Sequence, residues 1–455
     1  MMSVFKAYDI RGIVPDQLNP TLAYQIGVGT ASFIGGGQIV VGQDARTHSP
    51  EISAALVQGL VDAGATVLDI GLVSTPMVYY AVDAQGAAGG VMVTASHNPG
   101  QYNGFKICRE HAIPIGEESG LKEIEQIALA TDAGALGQHD QEASVQSMDV
   151  LAGYTEHVLA VGGALPARRV KIAIDCGNGM AGVPLAPILE AWEAQGRIEV
   201  SRLYFEPDGS FPNHEADPLK LENLREVAEA VVRDGADFGV AFDGDGDRAV
   251  FVDNQGEPVS SDLMTALLAR YQLKNHPNGL VLYDLRSSRA VAQEVEAAGG
   301  RAQMCRVGHS FVKAQMRESG AVFAGELSGH FYFRFSDSLM VDDAVAAFVA
   351  VLDVLAGEEG SSMADLVRPL RRYHASGEIN REVEGIDELL NQLESEHAGA
   401  NEISRMDGLY VSYPTWWFNL RPSNTEPVLR LNLEADTQEK MESERDALLA
   451  RMVSS

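Results

Sequence analysis

The sequence predicts an α/β protein in which three similar mixed α/β domains and a smaller C-terminal α+β domain surround a central cleft. Two observations lead to this fold class. Short runs of β-branched residues alternate with amphipathic stretches three times before about Ala364, a pattern typical of parallel strands joined by crossover helices. The chain of 455 residues is also too long for one ordinary core, so several domains are expected.

Each repeat has three predicted strands. They are 39–41, 66–68 and 90–93 in the first repeat, 170–174, 198–200 and 238–242 in the second, and 279–283, 302–305 and 321–324 in the third. The first repeat has helical stretches at 52–62 and 77–82 between its strands, and beyond Ala364 a strand at 429–434 precedes a charged helix at 437–452. We therefore expect domains at 1–147, 148–253, 254–364 and 365–455.

The composition narrows the class of protein. A formal net charge of −30 opposes binding to nucleic acid or to an anionic membrane. Three widely spaced cysteines indicate a reducing compartment without disulfides. No segment has the pattern of a signal peptide, and the longest apolar run, 344–352, is too short to span a bilayer. We expect a cytoplasmic protein, monomeric or weakly dimeric.

A polar loop follows the third strand of every repeat. These loops are 94–99, 243–248 and 325–330, and the C-terminal domain contributes a fourth polar loop at 421–427. Ligands of open α/β sheets bind at the carboxyl ends of the strands, so the three equivalent loops are expected to meet in one cleft. The alternative is three ordinary turns, which Gly, Asn and Asp favour anyway.

The second of these loops alternates Asp243, Asp245 and Asp247 with glycines. Three neighbouring carboxylates repel one another unless a cation lies among them, and oxygen ligands suit Mg²⁺ or Ca²⁺. An EF-hand is excluded because Arg248 stands where its glycine is required and Asn254 stands where its Glu is required. An acidic turn that binds nothing stays the alternative.

The other loops are less specific by themselves. Ser96 needs activation to act as a nucleophile and is otherwise a turn serine. His97 is a possible base, although adjacent side chains in an extended segment point apart, and Lys106 is the better phosphate partner. In the fourth loop, hydrogen-bond donors suited to phosphate lie between two prolines, with Arg430 nearby; they are Arg421, Ser423, Asn424 and Thr425. The segment 177–182 matches GxGxxG, but Pro184 and Pro187 favour a structural turn over a dinucleotide site.

Taken together, these motifs resemble the α-D-phosphohexomutases, most closely their phosphomannomutase/phosphoglucomutase branch. The resemblance runs from Tyr8-Asp9-Ile10-Arg11-Gly12 to the Arg421 loop, with four motifs in the family's order. It implies that phosphate moves between O1 and O6 of a mannose or glucose phosphate by way of a phosphoserine. A hexose 1,6-bisphosphate is the implied intermediate and activator.

The resemblance also implies residue roles. Ser96 is the phosphoserine, and the three aspartates hold Mg²⁺ together with a phosphoserine oxygen. Arg248 lies beside the transferring phosphoryl group, and Glu326 and Ser328 grip sugar hydroxyls near His309 and His330. The fourth loop, Arg421, Ser423, Asn424 and Thr425, holds the phosphate that is not reacting. The remaining matched cleft positions are Tyr8, Arg11, His97 and Lys106.

One position departs from the branch. Arg286 stands where a lysine is expected. Arginine stays protonated and can only stabilise charge, so His309 or His330 becomes the stronger candidate for general acid/base.

Three other functions compete with this one. Phosphoglucosamine mutases usually have a glutamine where Leu327 stands. A metal-dependent sugar phosphatase would release phosphate from glucose 1-phosphate, and a non-catalytic sugar-phosphate binding protein would bind without isomerising.

Overall fold

The computed structural model describes residues 4–132, 134, 144–162, 165, 167–358, 360–423 and 428–452. These residues form four β-sheets. The first three sheets are mixed, with parallel strands followed by antiparallel ones, and the fourth is antiparallel throughout. The predicted fold class is confirmed.

The first sheet has the strand order β1-β5-β4-β2-β3-β6. Its elements are β1 (Ile10–Ile13), α1 (Pro20–Ile34), β2 (Gly37–Gln43), α2 (Ser49–Asp62), β3 (Ala65–Leu72), α3 (Thr75–Ala84), β4 (Gly89–Val93), β5 (Tyr102–Arg109), α4 (Leu121–Ala130) and β6 (Val145–Ser147). The predicted strands of the first repeat are β2, β3 and β4. Helix α1 begins after Asn19, whose side chain accepts a 3.0 Å hydrogen bond from the Leu22 amide.

The second sheet has the order β11-β10-β9-β7-β8. Its region comprises α5 (Leu151–Leu159), β7 (Val170–Asp175), α6 (Gly182–Ala194), β8 (Ile198–Leu203), α7 (Arg225–Asp234), β9 (Phe238–Phe242), β10 (Ala249–Asp253), β11 (Pro258–Val259) and α8 (Ser261–Asn275). A Cβ added to Gly179 would lie 2.9 Å from the Asp243 carbonyl oxygen. The glycines of segment 177–182 therefore admit the loop after β9, which supports their structural interpretation.

The third sheet has the order β13-β12-β14-β15-β16. Its region comprises β12 (Leu280–Asp284), α9 (Arg289–Ala297), β13 (Arg301–Cys305), α10 (His309–Ser319), β14 (Phe323–Gly325), β15 (Phe331–Arg334), β16 (Met340–Asp342), α11 (Ala344–Gly357) and α12 (Met363–Val367). As in the first two sheets, a loop joins the third parallel strand to a neighbouring antiparallel strand. The polar loop of each repeat occupies this position.

The fourth sheet has the order β17-β22-β21-β20-β19, and β18 also pairs with β22. Its region comprises β17 (His374–Ala375), β18 (Ile379–Glu382), α13 (Ile386–Glu396), β19 (Glu402–Ser404), β20 (Leu409–Tyr413), β21 (Trp416–Pro422), β22 (Val428–Ala435) and α14 (Gln438–Arg451). The polar loop of this sheet leaves β21, and Asn424 and Thr425 lie outside the described residues.

The apolar segment that begins at Ala344 is a helix buried inside the protein. Helix α11 has 14 residues and is part of a core shared by the first three sheets. Among the residues described, we find no helix whose length and apolar character would suffice to cross a membrane. Cys108, Cys176 and Cys305 are buried and free, and burial raises the pKa of the Cys108 thiol to about 12.

Candidate functional site

The loop between β4 and β5 holds Ser96 as a fully buried residue in the left-handed backbone region, with φ = +52°. Its Oγ donates a 2.8 Å hydrogen bond to Asp243 Oδ2, across 147 residues of sequence. Ser96 Oγ also lies 3.2 Å from His97 Nδ1. The left-handed turn differs from the extended segment assumed above, and it places these two adjacent side chains together.

The loop after β9 brings three buried carboxylates together. Oxygens of Asp243, Asp245 and Asp247 lie within 4.8 Å of one another. Lys106 Nζ on β5 donates to Asp245 Oδ2 at 2.6 Å and also to Asp247 Oδ2. Burial raises the pKa of Asp243, and the two neighbouring carboxylates raise it further. Burial also opposes ionisation of Asp247, but Lys106 and His330 hold its pKa well below the usual range.

The chemistry of this loop fits a hard divalent cation. Asp245 Oδ1 and Asp247 Oδ1 are buried, and neither has a hydrogen-bond partner among the described residues. An all-oxygen donor set suits Mg²⁺ or Ca²⁺ better than a softer metal.

Glycine is required where this loop meets Ser96. Gly246 has φ = +73°, and a Cβ added to Gly244 would lie 2.4 Å from the Ser96 carbonyl oxygen. The alternation of aspartate with glycine therefore lets the backbone curl and lets the two loops touch.

The loop between β14 and β15 presents Glu326, Ser328 and His330. Both carboxylate oxygens of Glu326 already accept hydrogen bonds, from the Gly308 amide at 2.7 Å and from the Tyr332 hydroxyl. Ser328 Oγ lies 2.9 Å from His330 Nδ1, which leaves the other ring nitrogen facing the aspartate loop. These two hydrogen bonds fix the orientation of the buried Glu326 carboxyl group.

Two histidines lie beside the aspartate loop. His330 Nε2 is 3.5 Å from Asp247 Oδ1 and 3.4 Å from Arg248 Nε. The His309 ring stacks on His330 with centroids 6.3 Å apart, and its two buried nitrogens have no hydrogen-bond partner among the described residues. Burial lowers the pKa of His309 well below its ordinary value, and Lys313 lowers it further. A neutral imidazole therefore faces the cleft at neutral pH.

Three arginines gather around Glu378 at the start of β18. Glu378 Oε1 is 3.0 Å from Arg430 Nη1, and its Oε2 is 3.5 Å from Arg286 Nη1 and 3.7 Å from Arg421 Nη2. Arg421 and Arg430 are paired across β21 and β22. Burial alone would raise the pKa of Glu378, but the three arginines lower it overall. These arginines form a cationic cluster that has further carboxylates at its edge, Asp284 beside Arg286 and Asp407, whose Oδ2 lies 3.9 Å from Arg421 Nε.

Arg286 belongs to this cationic cluster. Its Nη2 donates a 2.7 Å hydrogen bond to Asp284 Oδ2. Burial would lower the pKa of Arg286, but Asp284, Glu326 and Glu378 raise it above the ordinary value. Arg286 therefore stays charged and cannot exchange a proton at neutral pH.

Hydrogen bonds link the three strand-end loops to one another and to Asp284 at the end of β12. Ser96 joins the aspartate loop, Ala249 N donates to Gly329 O at 3.0 Å, and Leu327 N donates to Asp284 Oδ2 at 2.8 Å beside Arg286. The structure thus brings every predicted site residue that it describes to this connected region or its rim.

Tyr8 and Arg11 lie on the rim formed by the N-terminal segment. Arg11 Nη1 donates to Asn98 Oδ1 at 2.5 Å, and Tyr8 Oη donates to Val307 O at 3.4 Å. The N-terminal segment therefore contacts both the serine loop and the strand-to-helix turn before His309.

Sequence reasoning missed two groups with many site contacts, Glu378 and Arg46. Arg46 follows β2 and binds the backbone of the serine loop. The signal that found the other loops, a polar residue at the carboxyl end of a parallel strand, applies equally to Arg46. Glu378 carries no such signal, because its partners come from three separate parts of the chain.

Comparison with known protein families gives four matches in order along the chain. They are phosphoglucomutase/phosphomannomutase alpha/beta/alpha domains I, II and III at residues 2–135, 152–256 and 260–373, and the C-terminal domain at 378–451. Each sheet lies mainly within one of these matches, and β6, β11 and β17 lie in the gaps between them.

Individual relatives match over nearly the full chain. "Phosphohexose mutases" of Xanthomonas campestris pv. campestris (strain B100) is 40% identical over 95% of each chain. "Phosphomannomutase/phosphoglucomutase" of Pseudomonas syringae pv. tomato is 37% identical over 97% of this chain and 93% of the relative. A crystal structure of a phosphoglucomutase/phosphomannomutase family protein from Burkholderia thailandensis is 33% identical, with a TM-score of 0.87 over 99% and 96% of the two chains.

Proposed function

The chain belongs to the phosphoglucomutase/phosphomannomutase family of phosphohexomutases, and we propose that it acts through phospho-Ser96. It is an enzyme that moves phosphate between the 1- and 6-positions of mannose or glucose phosphates. The observation that carries the proposed route is the 2.8 Å hydrogen bond between buried Ser96 Oγ and Asp243 Oδ2. A phosphate on this oxygen would lie beside the aspartate loop and its neighbouring cations.

The proposed cycle uses the chain's own groups in turn. Phospho-Ser96 gives its phosphoryl group to the free hydroxyl of a hexose monophosphate, and the bisphosphate reorients and returns its other phosphate to Ser96. Lys106 and Arg248 neutralise the phosphoryl oxygens, and His97 stays close to the leaving serine oxygen. His330 is the proposed base, because its ring lies against Asp247 and Arg248 at the same loop, with His309 stacked behind it.

Substrate grip is divided between two regions. We assign the sugar hydroxyls to Glu326 and Ser328, with Tyr8 and Arg11 at the rim. The phosphate that is not reacting is assigned to Arg286, Arg430 and the fourth loop, Arg421, Ser423, Asn424 and Thr425. The cationic cluster around Glu378 supports this assignment, because a dianion can replace the carboxylate among three arginines.

Mg²⁺ is the proposed metal at Asp243, Asp245 and Asp247, where it would polarise phosphoryl oxygens. We further propose a hexose 1,6-bisphosphate activator, a monomer or weak dimer, and domain limits at 1–147, 148–253, 254–364 and 365–455. The three free cysteines support a reducing, cytoplasmic location.

The central experiment follows the conversion of mannose 1-phosphate and glucose 1-phosphate with Mg²⁺ and glucose 1,6-bisphosphate. Both should give 6-phosphates without net release of inorganic phosphate. Release of phosphate would identify a phosphatase, and binding without conversion would identify a binding protein. Glucosamine 1-phosphate, as a third substrate, should react more slowly, and preferential turnover of it would favour the phosphoglucosamine mutase alternative.

Metal affinity is expected to rise with pH. Burial and the neighbouring carboxylates raise the pKa of Asp243 in the metal-free protein, and a metal must displace the proton that this carboxyl retains. The apparent Mg²⁺ affinity should therefore increase from about pH 5 to about pH 8, with proton release on binding. Calorimetry in two buffers with different ionisation enthalpies measures both effects. A constant affinity with no buffer dependence would contradict this expectation.

A further inference from the structure

Arg46 is a buried arginine directly behind the serine loop. Its side chain is 0% exposed, and Nε donates to Asp44 Oδ2 at 3.1 Å. The remaining nitrogens donate to four backbone carbonyls: Nη2 to Ser96 O at 2.7 Å and Asn98 O at 2.6 Å, and Nη1 to Pro99 O at 2.8 Å and Tyr102 O at 3.0 Å. A single guanidinium group therefore binds backbone carbonyls between residues 96 and 102.

The backbone of this loop needs such support. Ser96 has φ = +52°, a conformation that residues with a Cβ rarely adopt unless their surroundings impose it. The carbonyl groups of Ser96 and Asn98 point into the protein, where an unpaired acceptor is costly. Arg46 satisfies both carbonyls and so stabilises the left-handed turn.

The same Ser96 carbonyl faces the aspartate loop. A Cβ on Gly244 would lie 2.4 Å from it, while Ser96 Oγ donates to Asp243. Any shift of the carbonyl toward or away from Arg46 therefore changes how Ser96 Oγ meets Asp243.

Gly209 and Phe211, which belong to the second domain region, pack against Ala45 and Arg46. The Phe211 ring lies 5.2 Å from the Arg46 guanidinium carbon, and a Cβ on Gly209 would lie 2.1 Å from Ala45 O. Arg46 is therefore fixed by Asp44 on one side and covered by Phe211 on another.

We propose that Arg46 is a positioning residue for phosphoryl transfer: it locks the left-handed Ser96 backbone so that the phosphate on Oγ meets the aspartate loop in the reactive geometry. The inference rests on the proposed role of Ser96 as phosphate carrier. Arg46 acts through the Ser96 backbone, so its loss should slow the chemical step while leaving sugar-phosphate binding intact. Lysine keeps the charge but lacks the planar fork, so it cannot replace all four carbonyl contacts.

The test uses the full-length protein labelled with radioactive phosphate on Ser96. In Arg46→Lys, single-turnover transfer to glucose 1-phosphate should slow by about 10-fold to about 100-fold, the range that a small misplacement of reacting groups produces. The Kd of glucose 6-phosphate, measured by calorimetry, should stay within about 2-fold of the wild-type value. Arg317→Lys is the matched control, because Arg317 also binds backbone carbonyls, His111 O at 2.9 Å and Lys313 O at 3.2 Å, and its transfer rate should be unchanged.

Asp44→Asn is the second variant. It keeps an acceptor for Nε but removes the counter-charge, and it should slow the same step by a smaller factor. Wild-type transfer rates in both variants, or an equal loss of rate and of sugar-phosphate binding, would overturn the inference. A wild-type protein that takes no label on Ser96 overturns the proposed function as well, so the two failures are distinguishable.

Discussion

Ser96→Ala is expected to lower kcat for isomerisation by at least about 10⁴-fold, because a carrier oxygen that forms the covalent intermediate has no substitute. The change is conservative for the fold. Alanine keeps the Cβ and can occupy the same left-handed turn, and it loses only the hydrogen bonds of Oγ, of which the 2.8 Å bond to Asp243 is the principal one. Loss of activity in a folded protein therefore reports on the hydroxyl itself.

The label experiment separates the carrier role from a merely structural one. Wild-type protein incubated with bisphosphate carrying labelled phosphate should acquire one acid-stable label, and Ser96→Ala should acquire none. Hexose 6-phosphate should still bind the variant within a few-fold of wild-type affinity, since Arg286, Arg421 and Arg430 are untouched. Isomerase activity near the wild-type level in the variant would disprove the carrier role.

Ser74→Ala provides the matched control. Ser74 is also fully buried, and it lies against Gly246 of the aspartate loop. Its Oγ has no hydrogen-bond partner among the described residues, so removing this hydroxyl should leave kcat within about 3-fold of the wild-type value. If only Ser96→Ala loses activity, the loss comes from the Ser96 hydroxyl and not from the removal of any buried hydroxyl beside the aspartate loop.

The sequence predicts the framework because the period of its pattern matches the local geometry. The β-branched runs became β2, β3 and β4 and their counterparts in the other sheets. The topology then explains the position of the site. The third parallel strand of each repeat ends at the same edge of its sheet, so the polar loop that follows it lies at that edge. Ser96 and Asp243 are in contact although 147 residues separate them, and both the repetition of the pattern and the family resemblance indicate this contact.

Residues whose role depends on side-chain contacts could not be predicted in this way. Glu378 acquires its place from arginines at 286, 421 and 430, and no local pattern encodes such a meeting. The closeness of His97 to Ser96 depends on one backbone angle, φ = +52°. In an extended segment the side chains of Ser96 and His97 would point apart, whereas the left-handed turn places Ser96 Oγ 3.2 Å from His97 Nδ1.

The aspartate loop also explains why removing one charge should be severe for catalysis and mild for the fold. Lys106 on β5 pairs with Asp245 and Asp247, and Arg248 Nε lies 3.8 Å from Asp243 Oδ2. The three carboxylates therefore outnumber these two cationic side chains. Neutralising one carboxylate relieves like-charge repulsion in the metal-free protein, but it removes a ligand from the ion that balances the transferring phosphoryl group.

Asp245→Asn is accordingly expected to lower kcat by about 10³-fold at a fixed Mg²⁺ concentration, which corresponds to about 4 kcal/mol of transition-state stabilisation. The amide oxygen can still accept the 2.6 Å hydrogen bond from Thr75 Oγ1, so the loop should keep its shape. Mg²⁺ should raise the Tm of the wild-type protein by mass action and should raise that of the variant much less.

Asp253→Asn is the control for loss of a buried carboxylate. Asp253 lies in the same sheet, is 4% exposed, and accepts hydrogen bonds from the amides of Gln255 at 2.9 Å and Glu257 at 3.1 Å, which asparagine can also accept. Its variant should keep both the Mg²⁺-dependent rise in Tm and most of the activity. If Asp245→Asn retained the rise in Tm and lost activity, Asp245 would act on the phosphoryl group by another route than the metal. If both variants lost activity equally, the effect would belong to the sheet and not to the site.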